Sequence, residues 1–175
     1  MAVVLVGGGA RSGKSRFAQN WVEQRHQSAV YLATGEARDE EMRERIARHQ
    51  ADRGPIWTTV EEPLDLIAAL AQVQRREAVL VDCMTLWLSN VLLHPERDAA
   101  EELDGLVAFL KGWTGTDLVL VTNEVGCGIV PENALAREFR DLAGRMNQRI
   151  AEASDEVYWT VFGQPLRLKP SGVLR

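Results

Sequence analysis

Short apolar runs and longer amphipathic stretches alternate along the chain. "AVVLV" (residues 2–6) precedes a helical pattern from about Lys14, and "AVYLA" precedes one from about Asp39; "AVLVD", "DLVLVT" and "EVYWTV" follow, with helical stretches between them. Val- and Leu-rich runs of this length suit strands buried on both faces, and the 3.6-residue spacing between them suits covering helices. The alternation predicts a mostly parallel central sheet with helices on both faces, a three-layer α/β fold.

The finer pattern sharpens some elements. Phe17 with Trp21, and Ala18 with Val22, lie one turn apart on the first helix. The segment 131–154 opens with Pro131 and a first-turn Glu132 and carries Leu135, Phe139, Leu142, Met146 and Ile150 at helical spacing, which predicts a packed helix. "HPERDAAEELDG" (residues 94–105) reads as a surface loop leading into the helix "LVAFLKGW". Pro165 and Pro170 restrict the final segment to an edge strand. No internal repeat interrupts the pattern, and 46% hydrophobic content in 175 residues suffices for one core, so residues 1–175 are expected to form a single domain.

Charge and cysteine content narrow the function. Against 25 Asp and Glu stand 20 Lys and Arg, and the net charge of -5 argues against nucleic acid as a partner while leaving room for a local anion site. Cys83 and Cys127 each sit in or beside an apolar segment, and both are expected to be buried free thiols. The opening apolar run is too short for a signal peptide, and no segment approaches the roughly 20 apolar residues of a membrane span; the expectation is a soluble, cytoplasmic protein.

The strongest chemical signal is "GGARSGKS", residues 8–15, which fits G-x-x-x-x-G-K-[ST] between a strand and a helix. Glycines there let backbone N–H groups curl around phosphate oxygens and the helix N-terminus adds positive potential. Lys14 then reaches the β and γ phosphates and Ser15 supplies a hydroxyl to Mg²⁺. The other reading is a plain glycine turn with Ser12 as a cap. "AVLVD" ends in Asp82, as a Walker B strand does, with the carboxylate available to Mg²⁺; as a helix cap the same residue needs no metal.

Asn123 and Glu124 close the strand "DLVLVT" and precede Gly126 and Gly128, at the edge where open parallel sheets hold ligands, although a glycine turn explains them too. Arg137, Arg140, Arg145 and Arg149 read as a solvated helix face that leaves room for a phosphate ligand. In "ERIARHQADR", residues 44–53, His49 shares a face with Met42 and Ile46, while Glu41–Arg45 and Glu44–Arg48 form i, i+4 pairs. That histidine either covers an apolar seam or is a neutral imidazole nucleophile whose phosphate target Arg45, Arg48 and Arg53 neutralise.

Over nearly its whole length the chain resembles the bifunctional adenosylcobinamide kinase / adenosylcobinamide-phosphate guanylyltransferase family. The resemblance rests on "GGARSGKSRFA", "YLATGEARDEEMRERIARHQADR", "WTTVEEPLDL", "VLVDCMTLWLSN", "LVTNEVGCGIVPENALAREFRDLAGRMNQRIA" and "SDEV", in that order. The phosphate loop is widely shared; the R-I-x-x-H helix and the N-E-V-G-x-G-I-V-P-E stretch are specific to this family.

The resemblance implies a P-loop NTPase-like fold and two reactions. In the first, the aminopropanol hydroxyl of adenosylcobinamide takes the γ phosphate of ATP or GTP, with Lys14, Ser15 and Mg²⁺ holding the phosphates. In the second, His49 attacks the α phosphate of GTP and carries GMP to adenosylcobinamide phosphate. It further implies nucleotide contacts from Gly8, Gly9, Ala10, Arg11, Ser12, Gly13, Lys14 and Ser15, from Thr34, Gly35 and Glu36, from Gln50, Ala51, Asp52 and Arg53, and from Glu61 and Asp82. Ser15 and Asp82 are the implied metal ligands; several family members carry Glu where this chain has Asp82, which leaves direct and water-mediated contact both open. A homo-oligomer is expected. A P-loop kinase of another small alcohol and a nucleotide-dependent switch NTPase are the alternative readings, and neither needs His49.

Overall fold

The computed structural model describes residues 1–36, 40 and 54–170. The helix expected from about Asp39, with Met42, Ile46 and His49 on one face, lies outside the described residues.

In chain order the elements are β1 (Val3–Gly8), α1 (Lys14–Glu23), β2 (Ala29–Ala33), β3 (Trp57–Glu61), α2 (Leu66–Val73), β4 (Ala78–Asp82), α3 (Met84–Leu92), α4 (Ala99–Lys111), β5 (Asp117–Asn123), α5 (Ala134–Ala153), β6 (Glu156–Val161) and β7 (Gln164–Lys169). The strands form one seven-stranded sheet in the order β3-β2-β4-β5-β1-β6-β7. Every neighbouring pair is parallel except β6 and β7.

The period of two along each central strand divides the core into two layers. Val3, Leu5, Val30, Leu32, Val79, Val81, Leu118 and Leu120 pack on one side with Leu66, Leu70, Trp87, Leu88, Leu106, Met146 and Ile150 from α2 to α5. Val4, Val6, Tyr31, Leu80, Val119 and Val121 face the other side, against Ala18, Trp21 and Val22 of α1. Both faces are therefore covered, as the continuous apolar strands require.

Several local expectations need correction. The stretch 94–105 is mostly helix: α4 begins at Ala99, capped by Asp98, whose side chain accepts from the N–H groups of Ala100 and Glu101. Gly105 and the acidic run resemble a loop, but that cap and the burial of Leu103, Leu106, Val107 and Leu110 outweigh the roughly 1 kcal/mol cost of one helical glycine. The long helix α5 starts at Ala134, not Pro131, because the Asn133 side chain caps it by accepting from Ala136 N–H. Leu135, in its first turn, is exposed and packs on nothing in the core. The edge strand β3 was not among the expected strands; "WTTVE" is only half covered and lacks a buried run. Cys83 is buried as expected, but Cys127 is exposed in the loop after β5. The final segment does form an edge strand, β7, paired antiparallel to β6.

Candidate nucleotide site at the carboxyl edge of the sheet

All strands but β7 point the same way, so their carboxyl ends line one edge, the place where open α/β sheets hold ligands. The loop between β1 and α1 occupies the middle of that edge. Its backbone turns through Arg11 at φ 56° and Gly13 at φ 93°, and α1 starts immediately at Lys14. Lys14 is buried, with Nζ donating to the carbonyl of Gly9 at 3.1 Å. Ser15 follows it in the first turn, half-buried. Backbone N–H groups at a helix N-terminus, a lysine and a hydroxyl are the parts of a phosphate cradle.

Strand pairing places the other candidates relative to that loop. Gly8 is in register with Asn123, and Asp82 with Val121, so β5 lies between the phosphate loop and Asp82. Glu61 and Asp82 are both in register with Ala33, on either side of it, which sets their backbones two strand spacings or about 10 Å apart. Strand parity turns Asp82, like Leu80, toward the α1 side of the sheet. There Tyr31 donates its hydroxyl to Asp82 Oδ2 at 2.8 Å. Glu61 is exposed at the end of the edge strand.

Thr34 is fully buried, and its hydroxyl accepts from Cys83 N–H at 2.9 Å while donating to the Cys83 carbonyl at 2.8 Å. Asn90 of α3 donates to the Thr34 carbonyl at 2.8 Å. The Thr34 hydroxyl is thus occupied in shaping the corner after Asp82, where the Asp82–Cys83 peptide is cis. Gly35 and Glu36 continue from it, half-buried. Burial, and next the Asp82 carboxylate, push the Cys83 thiol up, which keeps it protonated and unreactive.

The carboxyl end of β5 and the loop after it are held from several sides. Asn123 donates from its backbone and from Nδ2 to Thr85 Oγ1, at 3.1 and 3.0 Å. Asn147 of α5 accepts from the Thr122 hydroxyl at 2.7 Å and donates to the Asn123 carbonyl at 3.2 Å. Glu124 N–H donates to the Gly8 carbonyl at 3.0 Å, and the Glu124 carboxylate accepts from Gly126 N–H at 2.5 Å. The helix arginines are not simply a solvated face: Arg140 donates to the Gly126 carbonyl at 2.5 Å, Arg137 to those of Pro131 and Glu132, and Arg149 pairs with Asp104. They brace the glycine loop and α4.

The structure therefore gathers residues 8–15, Thr34, Gly35, Glu36, Glu61, Asp82, Asn123 and Glu124 at one edge. Gln50, Ala51, Asp52 and Arg53, with His49, lie outside the described residues. Sequence reasoning did not single out Tyr31, Thr85, Asn90, Asn147 or Thr160. Only Tyr31 had any signal, a polar tip in an apolar strand at the same parity as the strand's last residue.

The model of the family described as cobinamide kinase / cobinamide phosphate guanyltransferase matches residues 4–168. A Pseudomonas aeruginosa protein named bifunctional adenosylcobalamin biosynthesis protein CobP is 44% identical, over 94% of this chain and 96% of its own. Bifunctional adenosylcobalamin biosynthesis protein CobU of Salmonella typhimurium is 40% identical, over 95% of this chain and 99% of its own. Among solved structures, the type III secretion ATPase EscN of enteropathogenic E. coli superposes with a TM-score of 0.56 at 9% identity, over 92% of this chain and 43% of its own. The P4 protein of bacteriophage phi6, in complex with ADP, gives 0.50 at 14% identity, over 94% of this chain; this chain spans about half (52%) of that one. At such identities these structures speak for the fold, which is that of the P-loop NTPases. The agreement of relatives and family model over nearly the full length makes the chain a member of the cobinamide kinase / cobinamide phosphate guanyltransferase family.

Proposed function

We propose that this enzyme phosphorylates adenosylcobinamide and then guanylylates the product, using one nucleotide-binding edge. The observation that carries the first step is the phosphate loop, with buried Lys14 at its end, across the intervening strand β5 from an oriented carboxylate, Asp82. The aminopropanol hydroxyl oxygen attacks the γ phosphorus of ATP or GTP, its proton is released, and the bond to the β-phosphate oxygen breaks to free the nucleoside diphosphate. Lys14 and the loop N–H groups stabilise the charge that spreads over the transferring phosphoryl oxygens.

Ser15 and Asp82 are hard oxygen donors, and Asp82 is oriented by the hydrogen bond that its Oδ2 accepts from Tyr31. Two such groups, completed by nucleotide phosphates and water, suit Mg²⁺, which is seldom held by a cage of protein ligands alone. Bound there, Mg²⁺ supplies charge neutralisation for the β and γ phosphates.

In the second step an imidazole nitrogen of His49 attacks the α phosphorus of GTP, the α–β bridging bond breaks, and pyrophosphate leaves. A phosphate oxygen of adenosylcobinamide phosphate then attacks the same phosphorus, the P–N bond breaks, and adenosylcobinamide-GDP forms. A covalent intermediate divides one difficult transfer into two easier ones. The support for His49 is the R-I-x-x-H motif and the family.

The test is labelling. GTP carrying label at the α phosphate is expected to leave it on the protein in an acid-labile, base-stable linkage, and label at γ is expected not to. His49→Asn is expected to lose this labelling while still phosphorylating adenosylcobinamide. Undiminished α labelling of that variant would move the nucleophile elsewhere, with His26 and His94 the remaining histidines.

A further inference from the structure

We propose that the β6–β7 hairpin is a clamp on the phosphate loop, and that Thr160 is the positioning residue through which it acts. The proposal rests on the loop binding nucleotide phosphates, and it concerns how the loop is kept in shape.

Thr160 is fully buried near the end of β6. Its hydroxyl donates to the Gly7 carbonyl at 3.1 Å and shares a 2.8 Å hydrogen bond with the Ser12 hydroxyl, 148 residues away in sequence. A threonine hydroxyl has one proton, and here it goes to Gly7. Ser12 must therefore be the donor to Thr160 Oγ1. Its hydroxyl proton is committed to the hairpin, which makes the Ser12 side chain a strut of the loop, while its backbone N–H donates to the Gly9 carbonyl at 3.3 Å.

A second contact comes from the turn. Gly163 N–H donates to the Ser12 carbonyl at 3.0 Å, and a Cβ built on Gly13 would come within 3.2 Å of Gly163 Cα. The hairpin thus touches the loop at its entry, at Ser12, and at the glycine before Lys14. The connection is a two-residue turn with Phe162 at φ 51° and Gly163 at φ 74°, the geometry of a type I′ turn. Phenylalanine is a poor residue for a left-handed position, and Phe162 is 96% exposed, so burial of its ring does not hold it there. The docking of Gly163 on the loop accounts for the turn being kept.

Phosphate cradles work by presenting N–H groups already aimed at the ligand, so a loop released from its brace must be reordered on each binding event. Thr160→Val keeps the volume and removes both hydrogen bonds; Thr160→Ser keeps the hydroxyl.

The experiment is titration of the full-length protein with fluorescent ATP and GTP analogues, with a melting curve for each variant. Thr160→Val is expected to bind nucleotide about tenfold more weakly at a temperature where it is fully folded, Thr160→Ser to restore most of the affinity, and Ser12→Ala to weaken binding in the same direction. Should Thr160→Val not fold, Ser12→Ala and Thr160→Ser decide the matter: the serine variant must bind like wild type and the alanine variant more weakly. Wild-type affinity in folded Thr160→Val, or in Ser12→Ala, overturns the clamp, as does a serine variant as weak as the valine one. Wild-type protein that binds neither analogue would overturn the nucleotide reading itself.

Discussion

Tyr31 Oη lies 2.8 Å from Asp82 Oδ2, joining the side chain of a buried residue in β2 to the carboxylate at the end of β4. The two strands are adjacent and parallel, with Ala33 opposite Asp82, so the phenol reaches the carboxylate from two residues back along its own strand. A hydrogen bond to a charged acceptor contributes about 1.5–3 kcal/mol, enough to fix one orientation of a side chain otherwise free at a sheet edge. Tyr31→Phe is expected to raise the Mg²⁺ concentration for half-maximal kinase activity several-fold, and Asp82→Asn to raise it further. A Mg²⁺ titration unchanged in both variants would reduce Asp82 to a structural corner residue.

Lys14 is the buried cation of the loop. Lys14→Ala is expected to slow phosphoryl transfer to adenosylcobinamide by at least about a hundredfold, since it removes charge stabilisation that grows toward the transition state. Steady-state rates at saturating nucleotide separate this from weakened binding.

The glycines of the loop differ in what they can tolerate. A Cβ on Gly8 would stand 2.4 Å from Thr160 Oγ1 and 2.7 Å from the Thr160 carbonyl, whereas one on Gly9 would meet nothing within 4 Å. Gly8→Ala is expected to cost about 1–3 kcal/mol of stability and to disrupt nucleotide binding. Gly9→Ala is expected to leave the melting temperature unchanged or slightly raised, because it restricts the unfolded chain without a clash. Paired melting and binding curves check both, and equal losses would contradict the steric account.

Asp117 opens β5 and accepts from His26 Nε2 at 3.0 Å, from Ala2 N–H at 2.7 Å, and faces the amino group of Met1 at 3.2 Å. Burial pushes its carboxyl up, but the hydrogen bonds from His26, the terminal amino group and Ala2 outweigh that and hold it below the ordinary value. A carboxylate with a lowered folded pKa stabilises the protein above its unfolded value, about 3.9, and loses that contribution as pH falls through the lower folded value. Asp117→Asn is therefore expected to melt below wild type at pH 7, with the gap closing beneath about pH 4. A gap independent of pH would assign the effect to packing.

The phosphate loop and the central strands were legible in the sequence because both are local. "GGARSGKS" carries its chemistry within eight consecutive residues, and each central strand shows its burial in an unbroken apolar run. Less local features were misjudged. The start of α4 turned on the Asp98 cap outweighing one glycine, and β3, at the sheet edge, has no buried run to mark it. Cys127 sits beside apolar residues in sequence, yet its neighbours Ile129 and Val130 are themselves exposed, so the apolar segment marked no interior.

By itself the sequence determined that strands and helices alternate, that a phosphate loop joins the first strand to the first helix, and that an acid ends the strand "AVLVD". These follow from hydrophobic period, glycine geometry and residue chemistry, which act over a few residues. The tertiary structure alone decided that β5 lies between the loop and Asp82, that Tyr31 holds that carboxylate, and that Thr160 bonds to Ser12 across 148 residues. Strand order and register are set by which apolar faces close the core together, and side chains distant in sequence meet only once that packing has fixed their strands side by side.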